Sequence, residues 1–490
     1  MRHRFATLER WMTQDGGGRT MSIEAGLDAM AQAAEAAIAY RRGIATAETT
    51  PTASYRDILD AFDGPVPNAG AEPAAILSEL IAQATPGLRG STAPRFFGWV
   101  IGTSHPTGVA ADWLTAAWGQ NATAIASAPA AAAVEAVAAR WLLDLLGLPA
   151  EASVGFVTGA TVANFVCLAA ARSEVLARVG WDVEADGLFG APPIRVLIGA
   201  DAHATVHSGL KFLGLGARRL TLVDADEMGR MRPESLAKAL GQGTGPAIVI
   251  AQSGQLNTGA NDPFAQIVPI AREAGAWLHV DGAFGLWAQA SPTLRHLSAG
   301  VDGADSWATD GHKWLQTPYD CGYAIVRDAA AHRRAMAFSA SYMPPAADSE
   351  REPSAFVPEF SRRARGFATW AMIRQFGRSG VAEMVERCCA IAARIAGRLA
   401  AERGIAIVAP VELNQVMVRF GDDDAATLAT IEQIQADAIL FAGGALWRGE
   451  WVMRISVSSS ATTLDDAEVT ADAIIAAWRR VKTRFPSRSC

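Results

Sequence analysis

Between residues 190 and 330, short apolar and β-branched runs recur at intervals: IRVLIGA (194–200), RLTLV (219–223), AIVIAQS (247–253), AWLHVD (276–281) and GYAIVRD (322–328). Most are separated by stretches with helical character. Runs that are apolar on both faces and alternate with helices predict a mainly parallel sheet covered by helices on both faces, an α/β fold. Ahead of them, AAAAVEAVAARWLLDLL (130–146) predicts a helix ended by Gly147, and a second helix is expected after the turn at 158–161. Past about residue 365 the pattern becomes a helix (381–401), strands IAIVAP and QVMVRF, a helix (425–440), the strand WVMRISV and a last helix from Leu464. That tail reads as a small α+β domain.

The first 90 residues read as a helical extension. A helix is expected at 23–41, followed by PTASYRDILDAF and the Pro/Gly/Ala-rich GPVPNAGAEPA, segments suited to packing on a larger body or a second subunit. Three segments follow: an N-terminal extension (1–90), a large α/β domain (91–365) and a small C-terminal α+β domain (366–490). No internal repeat is apparent, and the Ala-rich stretch 127–140 reads as helix rather than linker.

Composition narrows the partners. The chain has 490 residues, half of them hydrophobic, and a net charge of −7, enough apolar material for a large core. Without a dense Lys/Arg block it offers no electrostatic footprint for nucleic acid or an anionic membrane. The N-terminus lacks the apolar run of a secretory signal and no later run suggests a membrane span, so a cytoplasmic location is expected. Cys167, Cys321, Cys388, Cys389 and Cys490 include no CxxC pair and read as buried free thiols.

Ligands of open α/β sheets bind beyond the carboxyl ends of the strands, which singles out the polar residues there. Asp281 closes AWLHVD, His203 follows IRVLIGAD, and TGATVAN (158–164) opens a helix whose free N–H groups could hold a phosphate. A buried strand-end carboxylate needs a cationic partner, and a protonated ring nitrogen would serve, although such aspartates also cap loops. Lys313, in SWATDGHKWLQTPYDCG (306–322), would read alone as a surface or snorkelling lysine; beside a phosphate-bearing aldehyde it would form a Schiff base. His203 and His207 lack a third ligand, so no metal site is expected. GQGTGP (241–246) follows a helix rather than a strand and reads as a turn.

Taken together, RFFGWVIGTSHP, ASAPAAAAVE, GFVTGATVANFVCLAAAR, DAHATVHSGL, HVDGAFG, DGHKW and SRRARG resemble the blocks of the group II pyridoxal-phosphate-dependent amino-acid decarboxylases, the aromatic-L-amino-acid and glutamate decarboxylase superfamily. The resemblance runs from about Arg95 to Ala461. It implies the aspartate-aminotransferase-like fold (fold type I), a homodimer, and pyridoxal 5'-phosphate (PLP) as cofactor. It also implies roles for single residues. Lys313 would carry the cofactor, Asp281 would bond to its pyridine nitrogen and His203 would stack on its ring. Ala160 and Thr161 would cradle its phosphate, with His312 close to phosphate and substrate. Ala283 would pack against the ring, and Thr205 would add a polar contact. Phe97, Trp99, Val100 and Ile101 match positions lining the substrate side-chain pocket. No basic residue stands among them, so an aromatic or bulky apolar L-amino acid is expected, decarboxylated to its amine.

Two departures stand out. The segment 343–362, where the family places a tyrosine that can donate a proton, contains none; Tyr342 lies at its edge and Phe356 inside it. That implies, as the alternative, an oxidative outcome yielding an aldehyde. Gln255 stands where the family usually has a small hydroxyl residue. A catalytically silent binding protein is the remaining alternative, disfavoured because Lys313, Asp281 and His203 are all present. Arg454, in MRISVSS, is read either as half of a structural ion pair or as a carboxylate-binding cation.

Overall fold

The computed structural model describes residues 23–47, 49–337 and 351–485. The chain divides into two compact units, Met1–Gly90 and Ser91–Cys490. The first is helical, with helices Ile23–Gly43, Tyr55–Phe62 and Pro73–Ala84. Ser54 starts the second of these through a reciprocal capping box with Asp57, and the Gln32 amide donates to Ser78 Oγ at 2.8 Å to join the other two.

The second unit is built on a seven-stranded sheet: β1 (Ser153–Val157), β2 (Arg195–Gly199), β3 (Leu220–Val223), β4 (Ala247–Gln252), β5 (Trp277–Asp281), β6 (Ser306–Asp310) and β7 (Gly322–Val326). The strand order is β1-β7-β6-β5-β4-β2-β3, and only β7 runs against its neighbours. Strands β1, β4, β5, β6 and β7 are buried along their whole length, which is why most read as unbroken apolar runs. Two strands went unpredicted, β1 (SVGFV) and β6 (SWATD). Their Ser, Thr and Asp residues break the apolar run, and tertiary hydrogen bonds satisfy those groups inside the fold.

Side chains alternate across each strand, and β5 shows the consequence. Leu278 and Val280 join the core cluster with Trp287 and Trp307, while Trp277, His279 and Asp281 face the other side, which the helix Ala160–Ala177 covers. That helix is apolar nearly all round because it lies inside the molecule.

A four-stranded antiparallel sheet, ordered β10-β11-β9-β8, follows: β8 (Ile405–Ile407), β9 (Gln415–Phe420), β10 (Gly443–Trp447) and β11 (Glu450–Ser456). It is not a separate compact unit, because the core cluster runs from the large sheet through Met384, Val418 and Ile474. The helix expected at 381–401 extends back to Gly366, with a break at Gly377 (φ 61°), a left-handed conformation that suits glycine. Strand β10 went unpredicted because it opens on Gly443 and Gly444.

Candidate active site

Four strand ends converge on one place. Val157 at the end of β1 and Asp310 at the end of β6 both pair with Gly322 of β7, Asp281 ends the neighbouring β5, and His203 follows β2. The sheet therefore gathers the polar residues picked from sequence at its carboxyl edge, where helix N-termini also point.

Asp281 is 4% exposed, and its side chain accepts one hydrogen bond, from the Ala283 N–H at 3.2 Å. Burial pushes its carboxyl above the usual range, and the charges of His203 and Lys313 oppose that rise. No carboxylate–cation contact is made by Asp281 among the described residues. Such a group calls for a cation in contact with it, which no described residue supplies, and a pyridinium N–H fits. His203 is the N-cap of the helix Ala204–Phe212, outside its regular turns, with Nδ1 held by Thr205 through the backbone N–H at 3.3 Å and Oγ1 at 2.8 Å. Burial lowers its pKa, with Asp281 acting in the opposite sense.

Lys313 Nζ lies 2.9 Å from Asp310 Oδ2, and the Phe284 ring centroid is 5.9 Å away. The other oxygen of Asp310 accepts from the Ala160 N–H at 2.6 Å and stands 3.5 Å from His312 Nε2. The Tyr319 ring is tilted by 32° against that of His312 with centroids 4.3 Å apart, and the Cys321 N–H donates to His312 Nδ1. Gly159, at the start of the helix Ala160–Ala177, gives no side-chain cap, and since Asp310 takes the Ala160 N–H, the backbone N–H groups that follow it in the first turn, Thr161 first, are the ones left for an anion. A Cβ at Gly159 would sit 2.9 Å from the His312 ring, so only glycine allows this approach.

These features fit PLP: an amine at Lys313, a helix start behind a glycine with N–H groups beyond Ala160 for the phosphate, and a buried carboxylate for the ring nitrogen. Ala160, Thr161, His312, Ala283 and Thr205 lie in the same convergence of strand ends. In the substrate segment, Phe97 and Val100 are buried in the core, while Trp99 is exposed and Ile101 half-buried. The segment runs against the catalytic loop: the Gly102 N–H donates to His312 O at 3.0 Å, and a Cβ there would be 2.3 Å from Lys313 O.

Several functional residues were missed from sequence. Asp310 is the ion-pair partner of Lys313, and its place three residues before the lysine was the available signal. Gln316, fully buried with φ 59°, accepts at Oε1 from Thr103 N–H (3.1 Å), Thr103 Oγ1 (2.6 Å) and Ser460 N–H (3.2 Å). Its Nε2 donates to Lys313 O and Ser458 O, each at 2.7 Å, so one side chain ties the substrate segment, the lysine loop and the C-terminal region together. Arg362 of SRRARG grips Glu135 of ASAPAAAAVE through bonds of 2.6 and 2.8 Å, and Arg365 reaches Asp320 at 2.9 Å, joining two motif blocks to the turn that follows DGHKW. Gln255 instead caps a turn, accepting from the N–H groups of Asn257 and Thr258. Among the described residues Arg454 makes no ion pair: it is 9% exposed, bonds Leu256 O and Asn257 Oδ1, and is pushed down to about 10 by burial.

A fold of this type with a lysine, a buried aspartate and an anion-ready helix start defines a PLP enzyme. Residues 57–421 match the model of the pyridoxal-dependent decarboxylase conserved domain, and the chain belongs to that family. It is 27% identical over 379 residues to an aromatic-L-amino-acid decarboxylase of Bacillus atrophaeus, covering 75% of this chain and 76% of the relative. It is also 27% identical over 407 residues to a 4-hydroxyphenylacetaldehyde synthase of Rhodiola rosea, covering 79% and 81%. In fold it is similar to the Oryza sativa TDC crystallised with PLP and tryptamine: TM-score 0.87, 21% identity, covering 94% of this chain and 99% of that one. The chain is a PLP-dependent amino-acid decarboxylase.

Proposed function

We propose that the substrate is an aromatic or bulky apolar L-amino acid, that the product is the amine, and that the working form is a homodimer. The observation that carries the substrate class is the segment from Phe97 to Gly102. It lies against the backbone of His312 and Lys313, presents Trp99 within an aromatic trio with Phe96 and Phe441, and contains no basic residue to receive an acidic side chain. Similarity to enzymes named for aromatic amino acids supports the same class.

The bound cofactor supplies an electron sink for the pair left on the α carbon as the carboxylate departs as CO2. Asp281 would hold the ring nitrogen in its protonated form, and His203 would fix the plane against which the breaking bond is aligned. Lys313 would supply the amine that holds the cofactor. Arg454, a buried cation without a carboxylate partner among the described residues, is placed by electrostatics near His203 and suits the substrate carboxylate.

Amine formation requires a proton at the α carbon. Tyr319 supports that outcome: its ring lies against His312, and desolvation of its hydroxyl together with nearby Asp310 holds it protonated well past neutral pH. The aldehyde outcome is favoured by the tyrosine-free segment 343–362, of which 343–350, like Tyr342, lies outside the described residues. The test is product analysis with each amino acid. Release of amine and CO2 in equal amounts from aromatic substrates is expected, and Tyr319→Phe should lower the amine share and raise aldehyde, oxygen uptake and peroxide. Turnover confined to glutamate or aspartate would contradict the substrate assignment.

The dimer is supported by exposed apolar side chains on two helices, Ile23, Leu27 and Met30 on one and Trp113, Leu114 and Trp118 on the other. Light scattering of the purified chain checks it, with twice the 51.5 kDa chain mass expected. A cytoplasmic location is supported by Cys167, Cys321, Cys388 and Cys389, all free thiols, and cell fractionation tests it.

A further inference from the structure

Six side chains form a continuous hydrogen-bonded chain through the wall of the site, from β5 and β6 across the helix Ala160–Ala177 to the head of the helix Ala204–Phe212. Trp277 Nε1–H donates to Ser306 Oγ at 2.9 Å, and that oxygen lies 2.9 Å from His279 Nδ1. His279 Nε2 is 2.9 Å from Asn164 Oδ1, Asn164 Nδ2 is 3.4 Å from Thr205 Oγ1, and Thr205 Oγ1 is 2.8 Å from His203 Nδ1. Trp277, Ser306, His279 and Asn164 are all buried to within 1% of complete, so their partners must come from the chain itself.

The direction of the series is set at the His203 end. An indole N–H can only donate, so Ser306 Oγ accepts from Trp277, and its own hydrogen is available to His279 Nδ1. His279 then carries its hydrogen on Nε2 and donates to Asn164 Oδ1. At the other end the backbone N–H of Thr205 donates to His203 Nδ1, so that nitrogen bears no hydrogen. The Thr205 hydroxyl therefore donates to the same nitrogen and accepts from Asn164 Nδ2–H. The indole end is compatible with the orientation of the Asn164 amide that the His203 end requires, and in that orientation every donor meets an acceptor. His279 cannot become a double donor at working pH, because burial lowers it to about 3.

We propose that Asn164 and His279 are positioning residues for the decarboxylation: acting through Thr205, they fix His203 as the imidazole with its hydrogen on Nε2 and with Nδ1 closed as an acceptor. The role in the reaction rests on the reading that His203 lies against the cofactor ring; the tautomer does not. The charged groups that face His203 are Asp281 from β5, Asp310 and Lys313 from the end of β6, and Arg454 from β11. Losing a donor at Nδ1 frees its lone pair, so protonation there becomes easier and the pKa of His203 rises.

The test is 15N NMR of histidine-labelled holoenzyme, with the His203 signals assigned by their loss in His203→Gln, read beside kcat, KM and the pH profile. Thr205→Val removes the hydroxyl and keeps the backbone donor, Asn164→Asp reverses the last links, and Thr205→Ser restores the hydroxyl. Wild type and Thr205→Ser should show the Nε2–H form. Thr205→Val and Asn164→Asp should raise the His203 midpoint by one pH unit or more, a tenfold change in protonation. Their kcat should fall about tenfold, with KM nearly unchanged and the acid limb of the pH profile displaced. Should Asn164→Asp not fold, Thr205→Val carries the test at a half-exposed position. Unchanged His203 signals in both variants, or Thr205→Ser as disturbed as Thr205→Val, would overturn the proposal. Changed signals with unchanged kcat would overturn the positioning role, whereas failure of the functional reading would show in the wild type, as no turnover of aromatic amino acids.

Discussion

At the residue scale the site turns on two charges that are poor choices unless a cofactor joins them. Asp281 is a buried carboxylate with one hydrogen bond, and Lys313 is an amine paired with Asp310. Replacing Asp281 by Asn keeps shape and removes charge, so kcat is expected to fall by about 10²–10³ while the variant still binds PLP, as titration of cofactor absorbance and steady-state rates would show. The sequence made Asp281, His203 and Lys313 legible because each stands beside a strand end or inside a specific motif. Gln316 was not legible, since most of its partners lie far along the chain, whereas Asp310 carried a signal in its place three residues before Lys313 that went unread. Gln316→Ala would strip partners from the N–H groups of Thr103 and Ser460 and the carbonyls of Lys313 and Ser458. A loss of about 4 kcal/mol in unfolding free energy is expected by denaturant titration.

At the element scale the predicted rhythm of strands and helices held wherever burial on both faces made a run uniformly apolar. It failed where function or tertiary bonding put polar groups into a strand. Strand β6 is the clearest case: Ser306 and Asp310 are hydrogen-bonded inside the fold, and Asp310 serves the site. Strand β1 carries a related buried pair, Ser153 Oγ at 2.8 Å from His332 Nδ1. Burial lowers His332 to about 3, against an ordinary value of 6.5. Its folded pKa is depressed, so the unfolded chain binds the extra proton between those values and stability is lost as pH falls from 6.5 toward 3. His332→Gln should flatten that slope relative to wild type by about 1.4 kcal/mol per pH unit, measured by unfolding across the range.

At the scale of the whole molecule, sheet order does what no single motif can. The order β1-β7-β6-β5-β4-β2-β3 brings 158–161, 203, 281 and 310–313 to one edge although they span more than 150 residues of chain. The change in pattern near residue 90 led to an expected boundary there, and the chain divides into the compact units Met1–Gly90 and Ser91–Cys490. The division at 365 was readable only as a change of topology, because the core passes through it without a break.

The central claim is that Lys313 is the amine that carries PLP. Treating the holoenzyme with borohydride and mapping the modified peptide by mass spectrometry tests it most directly. The account predicts one phosphopyridoxyl group per chain, on Lys313, and none on the Lys313→Ala variant. Labelling at another lysine, or retention of the label in that variant, would contradict it.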